Sequence, residues 1–545
     1  MPVISFSYSD FAGLLGQDIG RDRLVERAPM IGCDVNRVEG DEIELEFFPN
    51  RPDLYSVEGI ARAMRAFLGI RPGMPRYDVN DSNIDLEVDD SVTPVRPFIV
   101  AGIVRDLKLT DASVKSLMDM QEKLHLTVGR HRKKVSVGIH DLDQVKPPFT
   151  YKAVEPHSAR FVPLASSEEM DLREILERHE KGKEYASILD GKSAYPLLVD
   201  RENSVLSFPP IINGVLTQVT ASTRNLFIDV TGTDYQAISL TLNIMSTALA
   251  ERGSRLESVV LRYPKRAPFR TPALPSRKKA LDPAFAAKLL GVSLSHDDMI
   301  AALGRMMYDA VVVEKRIEVG IPAFRNDILH EVDIVEDIAI GHYYSRLEGV
   351  LPAAMTAGRE LAANFRAERA RQVMIGLGYH EMMSFALTSP GKLSWGTGER
   401  PGSMAEILNP VVEDQTVLRT AILPSLLEQL RLNKHCDLPQ RLFELGEVVL
   451  DGHNRRRLAA VLVHPRASFT EAKSLAEAVL RELGLAGRHI IKPSVHPDFI
   501  PGRCASIWID GRGETGWFGE VHPAALAAFE LSNPAGGVEL ELDGW

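Results

Sequence analysis

The run Phe324-Arg325-Asn326-Asp327-Ile328-Leu329-His330-Glu331-Val332-Asp333-Ile334-Val335-Glu336-Asp337 gathers four carboxylates, Asp327, Asp333, Glu336 and Asp337. The last three are spaced i, i+3, i+4, which places them on one face of a helix. Val332, Val335, Ile338 and Ala339 take the rest of its circumference, so the helix is expected to be largely buried. Asp327 precedes it, where Pro322 and Asn326 predict a loop. Carboxylates this close repel unless positive charge lies among them, and a hard cation with oxygen ligands, Mg2+ first, would supply it. Spacing alone favours the other reading, a solvated acidic face whose charge suits a helix N-terminus.

The elements around this run predict a multidomain α+β chain. Residues 1–90 read as a small α+β unit, with helices at Ser7–Leu15 and Arg21–Ala28 and an alternating strand at Glu42–Phe47. After the turn Asn50-Arg51-Pro52-Asp53, Ser56 can cap a helix that ends at Gly69, and Arg51, Asp53 and Glu58 are expected to brace the turn by charge pairing. Residues 91–262 form a larger mixed unit with strands at 98–104, 135–139 and 226–231 and a helix over 235–250. The proline-rich stretch 263–275 reads as an extended connector. Residues 270–345 predict a compact helical unit with a hairpin at 311–319, and residues 350–545 an α+β domain on an antiparallel sheet.

Composition sets outer bounds. The chain has 545 residues, 45% of them hydrophobic and 25% charged, which is ordinary for a soluble globular protein. Its three cysteines, Cys33, Cys436 and Cys504, are too scattered to form a metal site and suit a reducing compartment. No signal peptide or membrane span is predicted, so a cytoplasmic location is expected. The net charge of -11 argues against nucleic-acid binding by bulk electrostatics. It leaves room for local contacts through the basic stretch 129–134 or through Lys265, Arg266, Arg270, Arg277, Lys278 and Lys279.

Several motifs occur in a telling order. They are Asn50-Arg51-Pro52-Asp53…Ser56-Val57-Glu58-Gly59, Gly138-Ile139-His140-Asp141-Leu142-Asp143, Phe208-Pro209-Pro210-Ile211-Ile212-Asn213, Phe227-Ile228-Asp229-Val230-Thr231-Gly232, the acidic run, Leu418-Arg419-Thr420, and Arg441-Leu442-Phe443-Glu444-Leu445-Gly446. Together they resemble the β subunits of phenylalanyl-tRNA synthetase of the archaeal/eukaryotic type, over nearly the full chain. The resemblance implies an N-terminal α+β unit, an editing domain, a winged-helix-like domain carrying a Mg2+-binding segment, and a degenerate class II synthetase domain. It also implies an α subunit as partner in an α2β2 tetramer, tRNA(Phe) as substrate, and no membrane.

The same resemblance implies that the middle domain hydrolyses tyrosine wrongly attached to tRNA(Phe). A pocket shaped for phenylalanine rejects one added hydroxyl only partly, so a second site must accept the phenol. The positions that match are Leu198 as a ring-pocket wall, Ser207 near the amino-acid end, and Asp229 as acceptor of the phenolic proton, with Pro210, Asn213 and Thr231 nearby. On residue types alone, Asp229 reads as an edge-strand surface acid and Ser207 as a turn residue. No Ser-His-Asp arrangement is evident, so water assisted by polar groups and the tRNA terminal hydroxyl is the expected nucleophile.

In the C-terminal domain, a working class II core needs an Arg-x-Glu pair and a terminal motif Arg to grip ATP. Arg441-Leu442-Phe443-Glu444 only echoes the first, and Gly516-Trp517-Phe518-Gly519-Glu520-Val521-His522-Pro523 lacks the second. ATP is therefore expected on the α subunit. Two rival readings remain: a scaffold subunit with a decayed editing site, and a free-standing RNA-binding or trans-editing protein.

Overall fold

The computed structural model describes residues 2–351, 353, 356–395 and 404–543. They fold as two compact units, residues 1–351 and 352–545.

The first unit opens with a three-stranded antiparallel sheet, in which Glu42–Phe47 runs between Val3–Ser7 and Cys33–Glu39. The Ser56 hydroxyl caps the helix Val57–Phe67 by accepting from Gly59 N–H at 3.2 Å. Gly59 is required there, because a Cβ would lie 2.0 Å from the Asp53 carbonyl oxygen. Arg51 grips Asp53 through Nε and Nη2, each at 2.8 Å. Glu58 takes no part in bracing that turn. It reaches instead to Arg252, which also holds Asp10.

A ten-stranded sheet forms the centre of this unit. Its strand Leu226–Gly232 is buried at every residue and runs antiparallel to both Phe98–Arg105 and Val135–Asp141, so Asp229 faces Ala101 on one side and Gly138 on the other. The helix Tyr235–Ala250, capped by Asp234, packs across these strands. Toward one edge, Tyr195–Val199 pairs with Val205–Phe208, and Val205–Phe208 with Ile212–Asn213. The turn between the last two contains a cis Pro209-Pro210 bond. The stretch 263–275 is more than a connector: Phe269–Thr271 adds to the sheet beside Arg255–Arg262, and the Thr271 hydroxyl bonds Ala101. The basic residues Arg277, Lys278 and Lys279 likewise stand on a strand, Arg277–Leu281, which pairs with Arg316–Ile321.

That strand begins a small three-stranded sheet completed by Asp309–Val313. Helices Pro283–Leu290, His296–Arg305 and Glu331–His342 accompany it. The second helix runs through Gly304 and ends at Arg305.

The second unit is a seven-stranded sheet, antiparallel except where His380–Glu381 pairs with Gln440–Leu450. Strand His453–Val463 shows how alternation builds two cores. Leu458, Ala460 and Leu462 join the layer under helix Phe469–Glu482, while Ala459, Val461 and Val463 join the layer under Leu423–Leu432. Glu444 is buried and pairs with Arg419 at 2.7 Å, whereas Arg441 is exposed. His522 caps the helix Pro523–Ala528 by accepting from Ala524 N–H.

Candidate functional site

A cavity of about 580 Å3 opens in the middle domain, and Ser207, Pro210, Asn213 and Asp229 all line it. Register explains the convergence. Ser207 faces Asn213 across one strand pair, and Asp229 faces Gly138, itself a cavity residue, across another. Neither residue is where its type alone would put it. Asp229 is buried within an inner strand of the sheet, and Ser207 is a buried strand residue. Leu198 and Thr231 are fully buried but stand outside the lining: Leu198 pairs with Ser207 from the next strand, and the Thr231 hydroxyl accepts from Arg96 Nε at 2.9 Å.

Asp229 is held from behind. His140 Nε2 lies 2.8 Å from its Oδ1, and His140 Nδ1 lies 2.7 Å from the Thr217 hydroxyl. A carboxylate only accepts, so Nε2 carries the proton and Nδ1 accepts from Thr217. Oδ2 carries no hydrogen bond among the described residues. The chain Thr217–His140–Asp229 is not a nucleophilic triad, since Thr217 and His140 are buried away from the cavity lining. It fixes the carboxylate. The sequence reading did not single out His140, although it stands in the Gly138–Asp143 motif. A histidine inside a strand that is buried at every residue is the signal that marks it. Ser207 Oγ is buried without a partner among the described residues.

Arg132 builds the opposite wall. Its Nη1 donates to the carbonyl of Ile211 at 2.9 Å, beside the cis-proline turn, and its Nη2 to Glu122 at 2.6 Å. Arg132 therefore belongs to the pocket wall, while its neighbours Arg130, His131 and Lys133 are exposed. His125 accepts from Val137 N–H through Nε2 at 2.8 Å and so donates to Glu122 from Nδ1. Burial pushes the Glu122 carboxyl up, but His125 and then Arg132 outweigh it and hold it at about 2. Since the ordinary value is 4.5, this clamp stabilises the fold above about pH 4.5 and loses that contribution as pH falls toward 2. Glu122→Gln should flatten the fall in Tm between pH 6 and pH 3; a parallel fall in both proteins would assign the acid sensitivity elsewhere.

The acidic run is divided. Arg325, fully buried, grips Asp327 through Nε at 2.8 Å and Nη2 at 2.6 Å, and Asp337 through Nη2 at 2.7 Å. Tyr308 donates a short hydrogen bond to the same Asp337 oxygen, and burial followed by the Asp337 charge keeps its phenol protonated. Asp333 instead caps its own helix, accepting from Leu329 N–H at 2.7 Å and His330 N–H at 2.6 Å. Asp327, Glu336 and Asp337 line one cavity of about 480 Å3 together with Arg51 and Arg325. Burial, then Asp337, Asp333 and Asp327, push the Glu336 carboxyl up. Val332, expected inside, is 44% exposed. Among the described residues no three His, Cys, Asp or Glu side chains close into a metal cage. Mg2+ does not require one, as it commonly keeps several waters and takes one or two carboxylates. The oxygen donors and the excess negative charge around Glu336 fit such an ion.

No helix among the described residues is long and apolar enough to cross a membrane. Three family models match the chain: a B3/4 domain over residues 105–261, a tRNA synthetase B5 domain over 280–344, and the phenylalanyl-tRNA synthetase beta chain CLM domain over 347–542. A phenylalanine–tRNA ligase beta subunit from Methanococcoides burtonii is 44% identical over 545 residues, covering 99% of this chain and 100% of its own. One from Archaeoglobus fulgidus is also 44% identical, covering 99% and 98%. A crystal structure of an N-terminal fragment of the phenylalanyl-tRNA synthetase beta subunit from Pyrococcus horikoshii superposes with TM-score 0.61 at 40% identity, over 63% of this chain and 99% of the fragment.

Proposed function

The chain belongs to the phenylalanine–tRNA ligase beta-subunit family, and from that premise we propose that its middle-domain cavity hydrolyses Tyr-tRNA(Phe). The observation that carries this reading is a buried carboxylate, Asp229, fixed by His140 at a cavity edge with Oδ2 free to accept. Tyrosine would donate its phenolic proton to Oδ2. Phenylalanine would leave that carboxylate desolvated and unpaired, a penalty of about 1–3 kcal/mol or more for a charged group. Ser207 and Asn213 would orient the aminoacyl end, and water would attack the ester with the tRNA terminal hydroxyl assisting.

The α partner would hold ATP and ligate phenylalanine, in an α2β2 assembly acting on tRNA(Phe) in the cytoplasm. Two features of the C-terminal unit support that division: Glu444 is committed to Arg419, and Arg441 points away into solvent. The test is deacylation of Tyr-tRNA(Phe) by the purified α/β complex. Hydrolysis well above the spontaneous rate supports editing; none would leave the chain a scaffold.

Mg2+ would be held by Glu336 with Asp337 or Asp327, neutralising carboxylates that Arg325 alone leaves in excess. Mg2+ at 100 times its Kd should stabilise the first unit by about 2.7 kcal/mol. Glu336→Gln should abolish that rise in Tm, and an equal rise in the variant would remove Glu336 from the ligand set.

A further inference from the structure

The helix Val57–Phe67 and the loop after it build a second charged cavity, far in character from the acidic one. It measures about 300 Å3, and Arg62, Arg65, Arg71 and Arg76 line it together with Tyr77 and Glu251. In a chain of net charge -11, four guanidinium groups at one hollow are a local inversion. The acids beside them are already engaged. Glu251 accepts from Arg65 Nη2 at 2.7 Å and from the Tyr77 hydroxyl. Asp309 accepts from Arg76 Nη2 at 2.8 Å and from Met74 N–H at 3.2 Å. Asp53 also faces Arg62 but is gripped by Arg51, so the four arginines still outnumber the acids beside them.

Two further observations bear on an anion at this hollow. Arg62 is 3% exposed and stacks on the Phe324 ring at 3.8 Å; its Nε and Nη2, like Arg65 Nε, are buried and have no acceptor among the described residues. Elsewhere in this unit the same guanidinium edge is used in full, by Arg51 on Asp53 and by Arg325 on Asp327. At the rim, the exposed Arg71 side chain makes no hydrogen bond or ion pair among the described residues. The loop is also pre-set. Ile70 and Arg71 N–H groups both donate to the Arg65 carbonyl, Gly73 N–H donates to Gly304 at 2.7 Å, and Pro72 and Pro75 restrict the backbone between. A stiff, arginine-lined hollow of this size suits a tetrahedral oxyanion, because guanidinium forks match phosphate oxygens.

We propose that this cavity binds a phosphate group, with Arg71 and Arg76 closing on it at the rim and Arg62 and Arg65 supplying the positive floor. The group can come from an RNA backbone or from a free phosphate compound, and the two are separable. Inorganic pyrophosphate would be titrated calorimetrically into the full-length chain, at low ionic strength and without divalent cations, for the wild type and for Arg71→Ala/Arg76→Ala. The account predicts saturable one-site binding in the wild type, weakened at least tenfold in the variant, with an unchanged Tm because both side chains are exposed. Displacement of pyrophosphate by tRNA would assign the site to an RNA phosphate, and failure to displace it would assign the site to a small anion. No saturable binding in the wild type, or equal affinity in the variant, would overturn the proposal.

Discussion

Asp229→Ala in the α/β complex is expected to slow hydrolysis of Tyr-tRNA(Phe) by roughly 10- to 100-fold, the range for losing one hydrogen bond to a charged group. Phenylalanylation should be unchanged, because Asp229 is buried in the middle sheet and, among the described residues, its carboxylate hydrogen-bonds only His140. The variant also removes a buried charge, so a loss of fold could mimic a loss of chemistry. Asp229→Asn separates the two. It keeps the shape of the side chain while replacing a full negative charge with a neutral amide, so its Tm should stay near that of the wild type while deacylation still falls. Deacylation retained in both variants would place the tyrosine-reading group elsewhere.

Gly138→Ala should produce a loss of the same order without replacing an acid or a base. Gly138 faces Asp229 across the paired strands, and a Cβ there would lie 2.2 Å from Asp229 Oδ1 and 2.7 Å from His140 Nε2. One methyl group therefore lands on the hydrogen bond that fixes the carboxylate. Neither side chain can retreat far, since His140 is fully buried and Asp229 is 1% exposed. Overpacking of this kind costs about 1–3 kcal/mol, so Tm should drop along with Tyr-tRNA(Phe) hydrolysis. The double variant Gly138→Ala/Asp229→Ala should be no slower than Asp229→Ala alone, because both act on one interaction. Additive losses would mean that Gly138 serves the cavity in some other way.

Local signals made much of the framework legible. The helix Tyr235–Ala250 begins after a capping Asp234 and carries a dense apolar stripe, and its bounds emerge as expected. Ser56, Asp282 and Ser295 mark helix starts in the same way, each with its side chain accepting a backbone N–H. What spacing could not tell was where a polar side chain spends its hydrogen bonds. Asp333 shares the helical spacing of Glu336 and Asp337, yet its oxygen is drawn back to the unpaired N–H groups at the helix start. Glu58 lies close in sequence to Arg51 but pairs with Arg252, 194 residues away.

The candidate site was legible only in part for a similar reason. Ser207, Asn213 and Asp229 converge through strand register, a property of pairing between distant segments. His140 meets Asp229 across 89 residues, so no local pattern links them. Leu198 and Thr231 share a face with Ser207 and Asp229, through register and i, i+2 spacing, yet neither reaches the lining: Leu198 is packed in the core and the Thr231 hydroxyl is held by Arg96.

The most direct measurement is the ratio of deacylation rates of Tyr-tRNA(Phe) and Phe-tRNA(Phe) by the wild-type α/β complex. The two esters differ by one hydroxyl, which Asp229 Oδ2 would receive on the proposed reading. The account predicts fast hydrolysis of the tyrosyl ester and hydrolysis of the phenylalanyl ester close to the spontaneous rate. Equal rates for the two would contradict a cavity that selects its substrate by accepting the phenolic hydrogen bond.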